Sequence, residues 1–246
     1  MKFKTAITNI QNEKESIRGY DLGELMQKKS FTETIFLVLK GKLPNKQETT
    51  MLDAMFVAAI DHGPGTASGQ TARIVASAKN SMHTSLAAGI LAMGERHGSA
   101  IEGAGKFFQE QKNIEDVEGL VKTLKAQKVR VPGFGHPFLT HDHRSDQLFA
   151  LAKELDIYGE HAAFAEKFHA VLNKVSSRVL PINIDGSMAA ILSDMGFDYR
   201  MMKGLFIIAR VPGLVAHIYE ETVHDQGLRR LSQDNIEYIG EVDKKI

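Results

Sequence analysis

Four residues with acid–base chemistry stand beside glycine at breaks between helical stretches: His62 in DHG, His97 in RHG, His136 in GFGHP and Asp185 in NIDGS. Turns at helix ends converge on clefts, and glycine lets a ligand approach the backbone closely. Each residue has to be weighed against an ordinary structural use. His62 suits a helix C-terminus, where it interacts with the dipole. His97 before Gly98 suits a C-cap. Asp185 before Gly186 suits an N-cap, the commoner use of such an aspartate. His136 differs: it is held extended by the following Pro137, and no capping rule asks for histidine there. Two histidines and a carboxylate fit proton transfer next to a carbonyl. The carboxylate removes a proton from carbon or returns one to an enol, one histidine hydrogen-bonds the enolate oxygen, and the other exchanges a proton with an alcohol.

Other chemistries are disfavoured. The chain has no cysteine, which excludes a disulfide framework, a thiolate nucleophile and Cys-based zinc sites. No GxSxG elbow appears, so serine nucleophilic catalysis is the weaker alternative. The GFG spacing matches neither a dinucleotide nor a P-loop fingerprint. The run His141-Asp142-His143-Arg144 tempts a metal assignment, but consecutive residues rarely offer ligand geometry and Arg144 repels a cation, so no metal is expected. His83, His161, His169, His217 and His224 read as structural residues on helix faces. Thirty basic residues balance thirty acidic ones, so no bulk field favours nucleic acid or an anionic membrane. The N-terminal stretch has no apolar core of the secretory kind, and Arg210 and Pro212 interrupt the most apolar late stretch. The expected compartment is the cytoplasm.

The elements that position these residues read as helix after helix. Phe31–Leu39 lies between Ser30, a plausible N-cap, and Gly41. Pro44 opens a helix with Leu52, Met55, Phe56 and Ala59 on one stripe, ended by Gly63, Pro64 and Gly65. The segment from Thr66 to Gly94 is crowded with Ala, Gly and Ser, which predicts two closely packed helices at the centre of a bundle. Further helices are expected at Asp146–Leu155, Gly159–Val175, Gly186–Met195 and about Tyr199–Glu221, the last broken at Pro212. Alternation with period two is weak, so strands should be short and the fold all-α.

The chain resembles a known family. IRGYDLGEL and SFTETIFLVLKGKLP are similar to the early helical signature of the citrate synthase superfamily. RHGSA, VPGFGHP and NIDGSMAAIL resemble its HG, PG-aromatic-GH and NVD motifs. The resemblance runs from about Ile17 to Tyr238, and the ordered set of motifs is specific. It is strongest to the small citryl-CoA lyase branch, including the C-terminal module of ATP citrate lyase, whose tail resembles QGLRRLSQDNIEYIGE.

That resemblance implies a fold of two helical domains, a large one (about 1–126 and 200–246) and a small one (about 127–199), with the active site in the cleft between them. It implies that His97, His136 and Asp185 are catalytic. His62, Arg144, Arg210 and Arg230 would bind substrate, Arg230 being donated by a partner subunit, with neighbouring Arg229 as an alternative. Val131, Pro132, Gly133, Phe134 and Gly135 would line the coenzyme A site, with Gly133 and Gly135 leaving room for the ligand. The implied reaction cleaves citryl-CoA to acetyl-CoA and oxaloacetate, with coenzyme A as part of the substrate, no other cofactor and no metal. A homodimer or homotetramer is implied, its interface formed by the small-residue helices. With no ATP-grasp region, making citryl-CoA falls to a separate synthetase. Two alternatives remain: a citrate synthase or 2-methylcitrate synthase, and a non-catalytic CoA-binding scaffold subunit.

Overall fold

The RGY motif is a structural clamp before it is anything else. In the structure, a computed structural model, Arg18 Nε and Nη2 donate to the Val38 carbonyl at 3.0 and 2.8 Å. This ties a small antiparallel sheet, β1 (Thr8–Gln11), β2 (Lys14–Ile17) and β3 (Tyr20–Asp21), to the first long helices. Asn12 and Glu13 both take positive φ, as primed hairpin turns require, and so do Arg18 and Gly19 at the second turn. The structure describes residues 2–95, 97–98, 100–136 and 140–246. Arg96 and Ser99 of RHGSA and Pro137 of GFGHP lie outside the described residues.

Eleven α-helices follow among the described residues: α1 (Leu22–Lys28), α2 (Phe31–Lys40), α3 (Lys46–Ala59), α4 (Ala67–Ser77), α5 (Met82–Leu91), α6 (Ala100–Gln111), α7 (Val117–Ala126), α8 (His143–Glu154), α9 (Glu160–Val175), α10 (Ile184–Asp194) and α11 (Tyr199–His224). The expected all-α class is observed. Ser30 caps α2 in a full capping box with Glu33, and Gly41 closes it at φ +76°. Pro44 does not open α3; Asn45 caps it, because its side chain supplies the acceptor that proline lacks. Pro212 does not break α11 either. It removes one donor, toward Ile208, but the helix runs through it. By length and composition α11 could cross a membrane. Yet Met202, Leu205, Phe206, Ala209, Arg210, Leu214 and Ile218 on it are buried inside the protein.

The chain divides into two compact units, residues 1–61 with 94–210 and residues 62–93 with 211–246. The 127–199 segment expected as a small domain falls wholly inside the first. In that unit α10 is the central helix, packed by α3, α6, α8 and α9. Apart from Asp185 and Asp194 its sequence, IDGSMAAILSD, is small or apolar, as a helix enclosed on nearly every face must be. Its serines are satisfied locally: Ser193 Oγ donates to Ala189 O at 2.8 Å. Burial of Met188, Ile191 and Leu192 contributes roughly 2 kcal/mol each. Beside α10, Phe107, Phe108, Phe164 and Phe168 pack edge-on or tilted, with centroids 4.9–6.4 Å apart.

In the second unit α4 and α5 pack closely. A β-carbon on Gly89 would lie 3.1 Å from both Ala72 Cβ and Ser68 O. The pair is nevertheless not at the centre of a bundle within this chain, since Leu91 is 84% and Ile74 49% exposed. Small residues on one face permitted the close approach; the opposite faces are open.

Candidate active site

The opening of α10 is stitched to the glycine turn by a short ladder. Gly135 N–H donates to Pro181 O at 2.7 Å and Asn183 N–H to Gly133 O at 3.0 Å. Asn183 Nδ2 donates to Gly135 O at 2.8 Å, and Phe134 forms an antiparallel bridge with Ile182. His136 and Asp185 thus leave the same ladder, although they are far apart in sequence. Asn183 is also the N-cap of α10, its side chain accepting from Gly186 N–H at 3.1 Å. Asp185 is therefore not the cap but the second helical residue, free of the capping duty its position next to glycine invited.

Glycine makes the fit possible. A β-carbon on Gly186 would come within 2.4 Å of Gly133 O, and one on Gly133 within 2.8 Å of the Gly186 α-carbon. Gly133 and Gly135 hold φ of +87° and +95°, a region costly for other residues. The room expected for a ligand at Gly133 is thus occupied by the backbone of α10. Pro132 likewise covers α6, 2.9 Å from where a β-carbon on Gly103 would sit. The turn rests on the first turns of α6, the helix that His97 precedes. His97 is half-buried and donates its N–H to Gly94 O at 2.8 Å, followed by buried Gly98 at φ +75°. It caps no helix, since α5 is closed by Ala92.

The electrostatics centre on Asp185. Its Oδ1 is fully buried and has no hydrogen-bond partner, while the residue as a whole keeps some exposure. Burial pushes its carboxyl up to about 6, against the lowering pull of Arg144 and Arg210 and with Asp142 adding to the rise. Arg210, 3% exposed, donates Nε–H to Ala59 O at 2.7 Å, and its guanidinium lies 5.0 Å over the Phe206 ring. Burial lowers its pKa, while Asp61 and Asp185 push back. Arg144 donates Nε–H and Nη2–H to the two oxygens of Asp142 at 3.0 and 2.9 Å. Phe134 is anchored by Phe108 and Phe168, with the His169 ring stacked 6.3 Å away.

Beside the turn opens a cleft of about 700 Å³ lined by Val131, Phe134, Gly135 and His136. Of the five residues expected to meet coenzyme A, Pro132 and Gly133 are not in this lining. Four cations that the sequence reading missed are: Lys125, Arg130, Lys174 and Arg178. The signal was present as basic residues preceding the turn in KAQKVRVPG and at and beyond the end of α9 in NKVSSR.

His62 and Arg230 belong to the second unit, and both are exposed. Arg229 is held within the chain: it donates to Glu221 Oε1 and Oε2 at 2.6 and 3.0 Å. Both arginines are exposed, and Arg229 spends its guanidinium on Glu221.

His141, His143 and Asp146 bring ligand atoms within 4.8 Å of one another, so the geometric ground for setting this cluster aside does not hold. All three are exposed and His141 Nε2 already meets Asp146 Oδ2 at 2.6 Å. They also sit at the N-terminus of α8, whose dipole disfavours a cation, and no metal role is assigned to them. His161 is structural, sharing Asp194 with the first N–H groups of α9.

The family model for the citrate synthase C-terminal domain matches residues 1–52 and 45–232. The solved citryl-CoA lyase of Hydrogenobacter thermophilus is 42% identical, with a TM-score of 0.94 over 99% of this chain and 97% of that one. ATP-citrate synthase beta chain protein 1 of Oryza sativa is 26% identical over 243 residues, covering 90% of this chain and 38% of its own length. Citrate synthase 2 of Bacillus subtilis is 26% identical over 215 residues, covering 86% and 58%. The chain thus spans less than two thirds of these last two relatives. The match runs through the glycine turn and α10 and takes in most of the chain: the chain belongs to the citrate synthase family.

Proposed function

We propose that this chain is a citryl-CoA lyase, cleaving (3S)-citryl-CoA to acetyl-CoA and oxaloacetate. The observation that carries the reading is Asp185, a carboxyl with a buried, unpartnered oxygen and a pKa pushed up to about 6 despite the opposing charges of Arg144 and Arg210. A carboxyl of that kind is a general acid near neutral pH. His136 takes the proton from the tertiary hydroxyl. The C–O bond becomes a carbonyl as the carbon–carbon bond breaks, and that electron pair moves to the thioester oxygen. His97 stabilises this enol oxygen by a hydrogen bond, and Asp185 delivers its proton to the methylene carbon, leaving acetyl-CoA. Arg144, Arg210 and His62 hold the carboxylates of the oxaloacetate half, with Arg230 contributed by a second subunit of a homo-oligomer. Coenzyme A lies along Val131, Phe134 and Gly135, its phosphates near the four cations of the cleft. The full-length similarity to a citryl-CoA lyase supports this direction. A separate synthetase would supply citryl-CoA.

Similarity to citrate synthase 2 favours a second reading, in which the same residues run in reverse with acetyl-CoA, or with propionyl-CoA in a 2-methylcitrate synthase. The test is to incubate the protein with citryl-CoA and measure oxaloacetate, acetyl-CoA and free CoA separately. Oxaloacetate and acetyl-CoA without free CoA support the lyase. Citrate with free CoA gives the synthase, and no product at all sinks both.

A further inference from the structure

One buried carboxylate connects the two charged partners of the substrate. Asp142 is 2% exposed and precedes α8 as its N-cap. Its Oδ1 accepts from Arg144 N–H at 3.1 Å and Nε–H at 3.0 Å. Its Oδ2 accepts from Arg144 Nη2–H at 2.9 Å and from Ile184 N–H at 3.1 Å. All four acceptor positions are used, and they reach two helices. Ile184 is the first residue of α10 and the immediate neighbour of Asp185. A second tie, Ser145 Oγ to Ser187 Oγ at 2.9 Å, pins the same two helix starts together in the core.

We propose that Asp142 is a positioning residue, fixing Arg144 and the start of α10 in one frame so that the arginine grips a substrate carboxylate while Asp185 faces the reacting carbon. The inference rests on the lyase reading for the identity of the substrate, but not for the geometry. A guanidinium has five N–H donors in a rigid fork. Asp142 engages Nε–H and one Nη2–H, which leaves the outer Nη1/Nη2 edge for a planar carboxylate. A cap alone does not need that fork, since an Asn or Ser caps equally well. Asp142 also acts by charge. Burial alone would push its own carboxyl up, but Arg144 and the Ile184 N–H hold it below the usual range, so it is ionised at neutral pH. The charged groups facing Asp185 are then Asp142, which favours the protonated acid, and Arg144 and Arg210, which oppose it.

The test compares Asp142→Asn with wild type by two readouts that need no turnover: oxaloacetate affinity by calorimetry, and titration of the Asp185 carboxyl by carbon-detected NMR, assigned with Asp185→Asn. The Asn variant keeps an acceptor for the cap but not the charge. Oxaloacetate affinity is expected to fall at least about tenfold, and Asp185 to titrate at lower pH. Affinity within twofold and an unmoved titration in a folded variant would overturn the proposal. If Asp142→Asn does not fold, Asp142→Ser serves: its hydroxyl can still cap α8 but offers neither the fork nor the charge, and the same two readouts decide in the same way. Absence of cleavage by wild type with these shifts intact would strike the lyase reading alone.

Discussion

The carbonyl oxygen of Gly133 rests against the α-carbon of Gly186, leaving no room for a side chain: a β-carbon there would lie 2.4 Å away. This contact lets the turn bearing His136 and the helix bearing Asp185 share one ladder. Gly186→Ala is therefore expected to force main chain against main chain, costing about 3 kcal/mol as overpacking of a rigid site. A melting curve checks it; a variant as stable as wild type would show that the turn yields.

Asp185 opposes folding where it is ionised. Its folded pKa, about 6, exceeds the ordinary 3.8, so its favourable contribution is complete below pH 3.8 and is lost as pH rises through 6. Asp185→Asn should stabilise the protein at pH 7.5 by up to about 3 kcal/mol and change little at pH 4. The same variant should lose at least about 10²-fold in cleavage. Cleavage by wild type should decline as pH climbs past 6, because the acid must start protonated. Equal melting temperatures at pH 7.5 would argue against a buried carboxylate.

The cations lining the cleft should recognise phosphate. Arg130→Ala and Arg178→Ala are each expected to raise KM for the CoA thioester about tenfold with a smaller change in kcat. The difference between variant and wild type should shrink as salt rises. An unchanged KM in both would move coenzyme A out of this cleft.

Glu221 stabilises the second unit. Only 3% exposed, it accepts from Arg73 Nε–H at 2.7 Å and from Arg229. Arg229 first, and then Arg73, hold its pKa below 4.5 despite burial. Its contribution is present above 4.5 and lost as pH falls through the depressed value. Glu221→Gln should cost on the order of 3 kcal/mol at pH 7, because two arginines lose their counter-charge. Its deficit should narrow on acidification, which pH-dependent melting would reveal.

If Arg230 completes a neighbour's site, inactive Arg230→Ala and Asp185→Asn chains should rescue each other when mixed. Random reassortment of dimers leaves one intact site in each hybrid, so activity should recover to about a quarter of wild type. No recovery after verified subunit exchange would place Arg230 with its own chain.

Much of this was legible along the chain because it depends on neighbours in sequence. The Ser30 cap, the glycine closing α2 and the close packing of the small-residue pair α4–α5 follow from local rules of donor satisfaction and close approach. Among the motif residues only His136 stood apart locally, since no capping rule asks for histidine there, whereas His97 and Asp185 each had an ordinary capping use. What local rules assigned wrongly was competition: Asn183 outbid Asp185 for the cap of α10, and Asn45 outbid Pro44 at α3, each by offering a side-chain oxygen in the right place.

Only the folded chain decided the rest. Sequence spacing does not reveal that Gly133 is glycine for the sake of Gly186, that Asp142 links Arg144 to Ile184, or that Arg229 is committed to Glu221. Each depends on contacts between residues more than a few positions apart. The Asp185 pKa has the same origin: burial and the charges of Arg144, Arg210 and Asp142 are properties of packing, and a linear sequence carries no dielectric.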